Sequence, residues 1–395
     1  MNVNPVTQLT QVGRYQLADV LEFRNEIVHP KDKPVGVATF VGLEHIERDT
    51  GTRLGADTID LSEMTGRRAR FRAGDIVYGY LRPYLNKVWI AEFDGLCSVD
   101  QYVFKIRPVA DRNYVYHFLR SAEFLKTAPI DSAPGQLPRI RSGEIAATPI
   151  PLPRLDEQKR IAAILDKADQ LRQKRRQAIA LLDSLTQSIF LEMFGDPVSN
   201  PKGWPVQELS EFEQFLTSGS RGWAEFYADE GRPFIRIQNL KNGKLSTDDL
   251  VYVKAPTNAE ARRTTVSAGD VLISITADLG RIAVVPLALD GDANINQHIA
   301  LFRPKQINSF YLANFLASDG GKMQFSALNR QGVKAGLNFS DIRRLRILVP
   351  PVALQAKFEQ LLISLEARKD SYLSARIDNE SLFASLHHRA FSGQL

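Results

Sequence analysis

An internal repeat constrains the fold of this chain more than any other feature of its sequence. The segment FRAGDIV at 71–77 recurs as VSAGDVL at 266–272, an offset of 195 residues. The segment DQY at 100–102 matches NQH at 296–298 at an offset of 196, and Gln158 matches Gln355 at 197. A nearly constant offset that changes by single residues is typical of a duplicated module. The length of 395 residues is therefore close to twice one module.

Each half of the chain contains a mixed part followed by a long helical stretch. Short β-branched and aromatic runs predict strands at 75–80, 87–91 and 101–106, and in the second half at 234–237, 271–275 and 299–302. Stretches without Pro or Gly, at 156–194 and 353–391, predict two long helices. The second helix starts at the second domain, so it must run back along the first to pack on it. The sequence predicts the α+β class, with two similar α/β domains separated by two long antiparallel helices that form a coiled coil with pseudo-twofold symmetry.

Apolar residues in both helices recur at alternating steps of three and four, which is the pattern of a coiled-coil seam. The predicted seam comprises Ile161, Ile164, Ala168, Leu171, Leu182, Leu185 and Ile189 in the first helix, and Phe358, Leu361, Leu365, Tyr372, Leu382 and Leu386 in the second. Arg175, Arg368 and Asn379 interrupt the pattern. Polar seam residues fix the register of a helix pair or contact a partner helix, and the first role is favoured.

Composition and motifs indicate a protein without its own catalytic centre. The single cysteine, Cys97, excludes an internal disulfide and fits a reducing, cytoplasmic location. We find neither a secretory signal nor an apolar run long enough to span a membrane. Phosphate-binding, nucleophile and metal-ligand motifs are also missing, so we predict no catalytic residue and no metal ligand. The net charge of +5 permits a nucleic-acid partner.

Residues suited to DNA contact occur in both mixed parts. Arg, Gln and Asn form bidentate hydrogen bonds with bases, whereas Lys, Ser and amides next to Gly suit phosphate. The candidates are Arg67, Arg68, Arg82, Tyr84, Lys87, Arg139 and Arg141 in the first half, and Ser220, Arg221, Trp223, Arg236, Gln238, Asn239, Arg281, Gln297, Arg330 and Lys334 in the second.

Several segments resemble one known family. The run PLPRLDEQKRI at 151–161 resembles the start of the central conserved helix of type I restriction-modification specificity subunits. The segments FGDP at 194–197 and NPKGW at 200–204 are similar to that family's link to a second target-recognition domain. The segments GDVLIS at 269–274, PFIRI at 233–237 and NQH at 296–298 are similar to recurrent parts of the recognition domains. The second helix departs from the pattern, since it keeps only Gln355 of the EQKR run.

The resemblance implies four segments. These are a first target-recognition domain at 1–152, a central conserved helix at 153–196, a second target-recognition domain at 197–350 and a distal conserved helix at 351–395. It also implies a function without catalysis, in which the chain recognises a bipartite double-stranded DNA target and docks two methyltransferase subunits. Those partners would use S-adenosylmethionine, and restriction subunits recruited through them would use ATP and Mg²⁺, so the chain itself is expected to need no cofactor.

Two alternatives follow from the residues alone. A self-contained DNA methyltransferase or nuclease would need a nucleotide or S-adenosylmethionine pocket, for which two duplicated modules leave no third domain. A coiled-coil adaptor without DNA contact would need the basic and amide-bearing surfaces to be unconnected in space.

Overall fold

A computed structural model describes residues 13–127, 137–219, 221–241, 243–329 and 336–395. The chain forms two compact units, of which the first comprises Met1–Ala178 with Tyr372–Leu395 and the second comprises Ile179–Ser371. Each unit therefore contains one mixed domain, one half of the first long helix and one half of the second.

Unit 1 contains eleven strands among its described residues, numbered here in chain order. They are β1 (Gly13–Gln16), β2 (Leu21–Phe23), β3 (Ile27–Val28), β4 (Val37–Val41), β5 (Asp57–Asp60), β6 (Arg68–Phe71), β7 (Ile76–Gly79), β8 (Val88–Ile90), β9 (Gly95–Ser98), β10 (Gln101–Ile106) and β11 (Pro149–Leu152). Its short helices are α1 (Leu17–Val20), α2 (Arg112–Leu119), α3 (Ala122–Thr127) and α4 (Ser142–Ala147). The sheets have the strand orders β2-β10-β7-β8, β3-β6-β9-β4-β5 and β1-β11.

The long helix α5 (Leu155–Phe194) leads into unit 2 and the long helix α10 (Val352–Phe391) returns from it, each with 40 residues. The strands of unit 2 are β12 (Val206–Glu208), β13 (Glu213–Ser218), β14 (Tyr227–Ala228), β15 (Arg232–Ile235), β16 (Leu240–Lys241), β17 (Gly243–Leu245), β18 (Val251–Val253), β19 (Val271–Ser274), β20 (Ile282–Val284), β21 (Asn294–Ile295), β22 (Ile299–Pro304) and β23 (Arg346–Leu348). Its short helices are α6 (Ala259–Arg263), α7 (Ser309–Ala317), α8 (Asp319–Leu328) and α9 (Phe339–Arg343). The sheets have the orders β13-β22-β19-β20-β17-β16, β14-β18-β15-β21 and β12-β23.

The central strands β7 and β19 are buried on both faces, which explains their continuous apolar sequence. Successive side chains of a strand point to opposite faces. Ile76 and Tyr78 accordingly join the core that includes α2 and the long helices, whereas Val77 packs with Trp89 and Val103 in a separate core between the sheets. In unit 2 the same alternation places Val271 and Ile273 in one core and Leu272 in the other. The predicted α+β repeat is confirmed.

The framework of the two domains repeats down to single hydrogen bonds. Asp75 Oδ2 accepts from the backbone N–H of Arg72 and binds Arg24 through both oxygens. In unit 2, Asp270 Oδ2 accepts from the N–H of Ser267. The segments that contain Gly74-Asp75 and Gly269-Asp270 are therefore equivalent tight turns that precede the central strands, and each glycine has a positive φ, 92° and 83°.

The long helices pair antiparallel within each unit. In unit 1, Arg172 Nε donates to Glu380 Oε2 at 2.9 Å, and Arg175 lies over the ring of Tyr372, 5.4 Å from its centroid. Residues later in α5 thus meet residues earlier in α10. In unit 2, Lys369 pairs with Asp183, and the ring of Phe358 lies 5.3 Å from that of Phe194. The predicted antiparallel pairing is confirmed.

The predicted seam is wrong in part. Ile161 and Phe358 are buried, and Ile164, Ala168, Leu182, Ile189, Leu365 and Leu386 are partly buried. The remaining predicted residues are exposed, namely Leu171, Leu185, Leu361, Tyr372 and Leu382, although Tyr372 still contacts Arg175 of the other helix. The buried stripe of α5 lies one residue further along, at Leu165, Asp169, Arg172, Ile179 and Phe190. Because Asp169 and Arg172 are buried as an ion pair, a pattern based on apolar residues alone misses them.

Candidate nucleic-acid interface

A polar corner forms in unit 1 where β7 ends, close to the start of β10. The chain segment before α4 returns to this point, because Ile140 N–H donates to Tyr80 O at 3.2 Å and Arg82 N–H donates to Pro138 O at 2.7 Å. Tyr80 N–H donates to Asp100 O at 3.3 Å. We define the first corner as Tyr80, Arg82, Asp100, Tyr102 and Arg139.

Aromatic and charged groups share the first corner. The rings of Tyr80 and Tyr102 stack with their centroids 4.4 Å apart and 24° between their planes. Burial raises the pKa of the Tyr80 hydroxyl, the nearby Asp100 carboxylate raises it further, and Arg139 opposes this rise. Arg82 is exposed and has a left-handed backbone, φ 50°. The corner therefore combines stacked aromatic rings, a carboxylate and the guanidinium of Arg139, with the exposed Arg82 two residues after Tyr80.

Unit 2 contains an equivalent corner between β19 and β22. Leu337 N–H donates to Ile275 O, and Ile275 N–H donates to His298 O, both at 2.9 Å. His298 Nδ1 lies 2.6 Å from Thr276 Oγ1, and its Nε2 lies 3.2 Å from the amide nitrogen of Gln297. We define the second corner as Thr276, Asn296, Gln297 and His298.

The two corners correspond with an offset different from the one that sequence comparison predicts. Tyr80 N–H donates to Asp100 O, and the equivalent bond in unit 2 ends on His298 O. The backbone N–H of Asp100 binds Ser98 Oγ, just as that of His298 binds Asn296 Oδ1, both at 3.2 Å. Asp100 is thus equivalent to His298, 198 residues later. The predicted match of DQY with NQH is therefore wrong by two residues. The register of the two strands is set by backbone hydrogen bonds, and similar residue types do not mark equivalent positions here.

The structure brings part of the predicted set in unit 1 together. Arg82 and Arg139 belong to the first corner, and Tyr84, which is 50% exposed, lies in the one-turn helix Pro83–Leu85 beside it. Arg141 follows directly as the residue before α4. Lys87 is less available for contact with DNA than these residues, because its Nζ donates to Leu43 O at 2.6 Å.

Arg67 and Arg68 lie elsewhere in unit 1, at the start of β6 in the five-stranded sheet. The guanidinium of Arg68 lies over the ring of Phe40, 5.0 Å from its centroid, and Arg67 is exposed. These two arginines therefore belong to a sheet that does not contain β7 and β10.

The predicted DNA-contact residues of unit 2 lie in several separate places. Gln297 belongs to the second corner, and Arg281 lies after β19 with its guanidinium paired to Asp278. Arg236 Nη2 donates to Asp249 O at 3.0 Å and lies against the exposed amide of Gln238. Arg221 is exposed. Three candidates, Ser220, Arg330 and Lys334, lie outside the described residues.

Two residues of unit 2 that the sequence predicts to contact DNA are buried, so these predictions are wrong. Trp223 is 4% exposed and stacks on Phe234 with 16° between the rings, so it is a core residue. Asn239 is 1% exposed; its Oδ1 accepts from Arg236 N–H, and its Nδ2 donates to Ser246 O. Both side chains stabilise the domain and are unavailable to DNA, because their polar or aromatic surface is already used inside the fold.

The residues predicted from sequence to contact DNA do not include Tyr80, Asp100, Tyr102, Thr276 or His298. Their signal is positional, since they lie within or beside the ends of predicted strands, at places where the otherwise matching halves carry different chemistry. These differences can be recognised only when the two halves of the sequence are aligned at the correct offset.

Other reactive groups have structural explanations. Burial raises the pKa of the Cys97 thiol to about 12, which keeps it protonated and unreactive. Glu44, His45 and Asp57 bring metal-ligand atoms together, but His45 Nδ1 accepts from Gly42 N–H, and its Nε2 lies 3.6 Å from Asp57. These contacts place the trio in the turn that contains Gly42 and His45. Among the helices in the described part of the chain, none is long and apolar enough to cross a membrane.

Comparison with known proteins identifies relatives of the whole architecture. The type I restriction modification DNA specificity domain matches twice, at residues 14–181 and 201–372. The type I restriction enzyme EcoDI specificity subunit of Escherichia coli is 32% identical over 183 residues, 45% of this chain and 40% of that protein. The EcoBI specificity subunit of Escherichia coli is 22% identical over 358 residues, 81% of this chain and 73% of that protein. The match to the first of these spans about two fifths of the relative's length.

Solved structures share the fold. A chain from a structure on complex assembly and conformational transition of the type I R-M system superposes with a TM-score of 0.62 at 21% identity, covering 97% of this chain and 98% of that one. The type I restriction-modification system S subunit from M. genitalium gives a TM-score of 0.57 at 15% identity, covering 98% of each chain. Since the matched domain occurs twice and covers most of the sequence, the chain belongs to the type I restriction modification DNA specificity domain family.

Proposed function

We propose that the chain is the sequence-specific DNA-recognition subunit of a type I restriction-modification complex. Each domain recognises one half of a bipartite double-stranded target. The observation that carries this proposal is the pair of equivalent corners, which share a framework of hydrogen bonds and differ in the side chains that they present. Two copies of one scaffold with different polar groups suit the recognition of two different half-sites.

The chemistry of both corners supports contact with bases. The first corner presents Arg82 and Arg139, and arginine is the commonest donor to guanine O6 and N7. The second presents Gln297, whose amide matches adenine N6 and N7. Exposed arginines elsewhere, such as Arg67 and Arg221, suit phosphate and position the domain without specifying sequence.

The proposal includes two methyltransferase subunits as partners, which supply S-adenosylmethionine chemistry, and restriction subunits that use ATP and Mg²⁺. The long helices support docking because they expose apolar side chains in both units. These include Leu171, Ile377 and Leu382 in unit 1, and Leu181, Val352 and Ile363 in unit 2. Apolar side chains that are exposed on paired helices provide surface for a partner subunit to bury. In this proposal the chain itself is non-catalytic, binds no cofactor and acts in the cytoplasm.

The test is a selection from a randomised duplex library. The full chain, purified together with its methyltransferase partner, is incubated with the library at moderate salt, and the bound DNA is sequenced. We expect enrichment of two short motifs at a fixed separation. Equal recovery of all sequences would contradict the proposal, since phosphate contacts alone give binding without sequence preference.

Two rival functions are separated by simple assays. A self-contained methyltransferase would transfer labelled methyl groups to DNA when incubated alone with S-adenosylmethionine, whereas the recognition subunit would transfer none without its partner. A coiled-coil adaptor would bind the methyltransferase but not DNA, so a complex without DNA affinity would favour that alternative.

A further inference from the structure

We propose that the equivalent residues Asp100 and His298 are the specificity-determining positions of the two corners, and that they select different base pairs. This inference rests on the proposed function and deepens it. It assigns a guanine–cytosine pair to the half-site of unit 1 and an adenine–thymine pair to that of unit 2.

The equivalence of the two positions comes from the backbone. Asp100 and His298 each accept, through the main-chain oxygen, from the residue that follows a central strand. Each donates its own N–H to a side-chain oxygen two residues earlier, Ser98 Oγ or Asn296 Oδ1. The main chain therefore holds both residues in the same place, and the domains differ in what that place presents.

Divergence at this position stands out against a framework that keeps its chemistry. Tyr114 Oη donates to Pro151 O at 2.7 Å, and Tyr311 Oη donates to Leu348 O at 2.8 Å. The paired turns that contain Asp75 and Asp270 are likewise retained. In contrast, the corner position changes from an acidic to an imidazole side chain. The two domains thus differ in side-chain chemistry at one position of a framework that is otherwise retained.

Both side chains are held in place but remain partly accessible. Asp100 Oδ2 accepts from Ser98 Oγ at 3.2 Å, and its Oδ1 lies 3.5 Å from Tyr80 Oη. His298 is oriented by Thr276 through one ring nitrogen and by Gln297 through the other. Both residues are half-buried. Side chains oriented in this way lose little conformational entropy when they meet a base edge.

The donors and acceptors decide the base pair. A carboxylate only accepts hydrogen bonds, and the exocyclic amino group of cytosine offers a donor in the major groove. Arg139, which belongs to the same corner, supplies donors for the guanine of that pair. At the second corner His298 acts as a positioning residue, because its ring orients the amide of Gln297. That amide offers one donor and one acceptor, the pattern that adenine requires.

The experiment repeats the library selection with the full chain and its methyltransferase partner, using Asp100→Asn and His298→Asn. The amide in Asp100→Asn keeps the Ser98 contact but also donates, so preference for guanine–cytosine at one position of the first half-site should fall by about 5-fold to 150-fold, the range of 1–3 kcal/mol. His298→Asn should cause the same loss for adenine–thymine in the other half-site. In each variant the unaffected half-site serves as the internal control.

Further controls separate specificity from folding. Glu22→Gln changes an exposed carboxylate on the edge strand β2 and should leave both motifs unchanged. Circular dichroism melting checks each variant, and Gln297→Ala provides a second substitution at the second corner should His298→Asn unfold, as Arg139→Ala does for the first.

The outcomes are distinguishable. Relaxation confined to one half-site, at a guanine–cytosine or adenine–thymine position as assigned, supports the inference. If the unmodified protein recognises a bipartite motif while folded variants keep it unchanged or weaken both halves equally, the inference fails and the proposed function stands. If the unmodified protein shows no preference, the proposed function fails and the inference fails with it.

Discussion

Gln158 Oε1 accepts a hydrogen bond from the backbone N–H of Asp111 at 2.8 Å, which ties the start of the first long helix to the start of α2. The amide nitrogen of Gln158 donates to Pro153 O, also at 2.8 Å. In unit 2, Gln355 Oε1 accepts from Asn308 N–H at 2.9 Å, and its amide nitrogen donates to Pro350 O at 2.8 Å. The same buried amide therefore joins helix and domain in both units.

Replacing this amide should destabilise the unit that contains it. Gln158→Ala leaves the Asp111 N–H and the Pro153 carbonyl without their partner in a buried place, so we expect a loss of about 2–3 kcal/mol in the free energy of unfolding. Gln355→Ala should have an effect of the same size in unit 2. Gln170→Ala changes an exposed glutamine of the same helix and should stay within about 0.5 kcal/mol. Denaturant unfolding measures all three, and equal stability of Gln158→Ala and Gln170→Ala would contradict the assignment.

The ion-paired network in unit 1 should stabilise the antiparallel helix pair. Glu380 binds Arg172 and Arg176, and Arg172 also binds Asp169. Glu380→Gln keeps the shape but removes the charge. Because Glu380 is partly exposed, solvent screens its ion pairs. We therefore expect Glu380→Gln to lower the free energy of unfolding by about 1 kcal/mol.

A double-mutant cycle with Arg172→Met measures this interaction directly. The exposed Asp378, on the same helix, provides the control Asp378→Asn. Additive effects of the Glu380 and Arg172 substitutions would show that the two side chains do not interact.

The contact of Arg175 with Tyr372 should favour pairing of the first helix with the second. Tyr372 lies 197 residues after Arg175, so these two residues occupy equivalent positions of the repeat. Tyr372→Arg would place two guanidinium groups against each other and remove a cation–π contact. We expect it to lower the free energy of unfolding by about 1 kcal/mol. Tyr372→Phe keeps the aromatic face and should be nearly neutral. Thermal melting at low and high salt tests this, because the deficit of Tyr372→Arg should shrink as salt screens the repulsion.

Acid should destabilise unit 1 through His387. Burial lowers the pKa of His387 to about 2, and His117, Arg120 and Arg172 add to this effect. An unfolded chain binds a proton at histidine below about pH 6.5, whereas folded His387 stays neutral. Stability should therefore fall as the pH drops below 6.5, by up to about 1.4 kcal/mol per pH unit from this residue.

His387→Phe should remove this share of the pH dependence. Phenylalanine fits because Phe190 occupies the equivalent position of the repeat, 197 residues earlier. Unfolding at pH 7 and pH 5 gives the comparison, with His388→Gln as an exposed neighbouring control. An unchanged difference between the two pH values in His387→Phe would show that His387 does not titrate in this way.

Several predictions from the sequence depended only on local pattern, and these agree with the structure. The strand predicted at 101–106 is β10, and the helices predicted at 156–194 and 353–391 are α5 and α10. Runs of apolar residues and the absence of Pro and Gly specify such elements within a few turns of chain. The prediction of DNA contacts was weaker, because exposed Arg82 and buried Asn239 look alike in a sequence.

The duplicated α+β module with two long helices is predictable from the amino-acid sequence, because repeat offsets and apolar periodicity can be read directly along the chain. Three features become visible only in the folded chain: the offset of 198 that makes Asp100 equivalent to His298, the burial of Asp169 and Arg172 in the helix seam, and the core position of Trp223. Each of these depends on partners far away in the chain. Residues distant in sequence are brought together by strand pairing and by packing in the core. The local sequence pattern does not identify which of these residues contact each other.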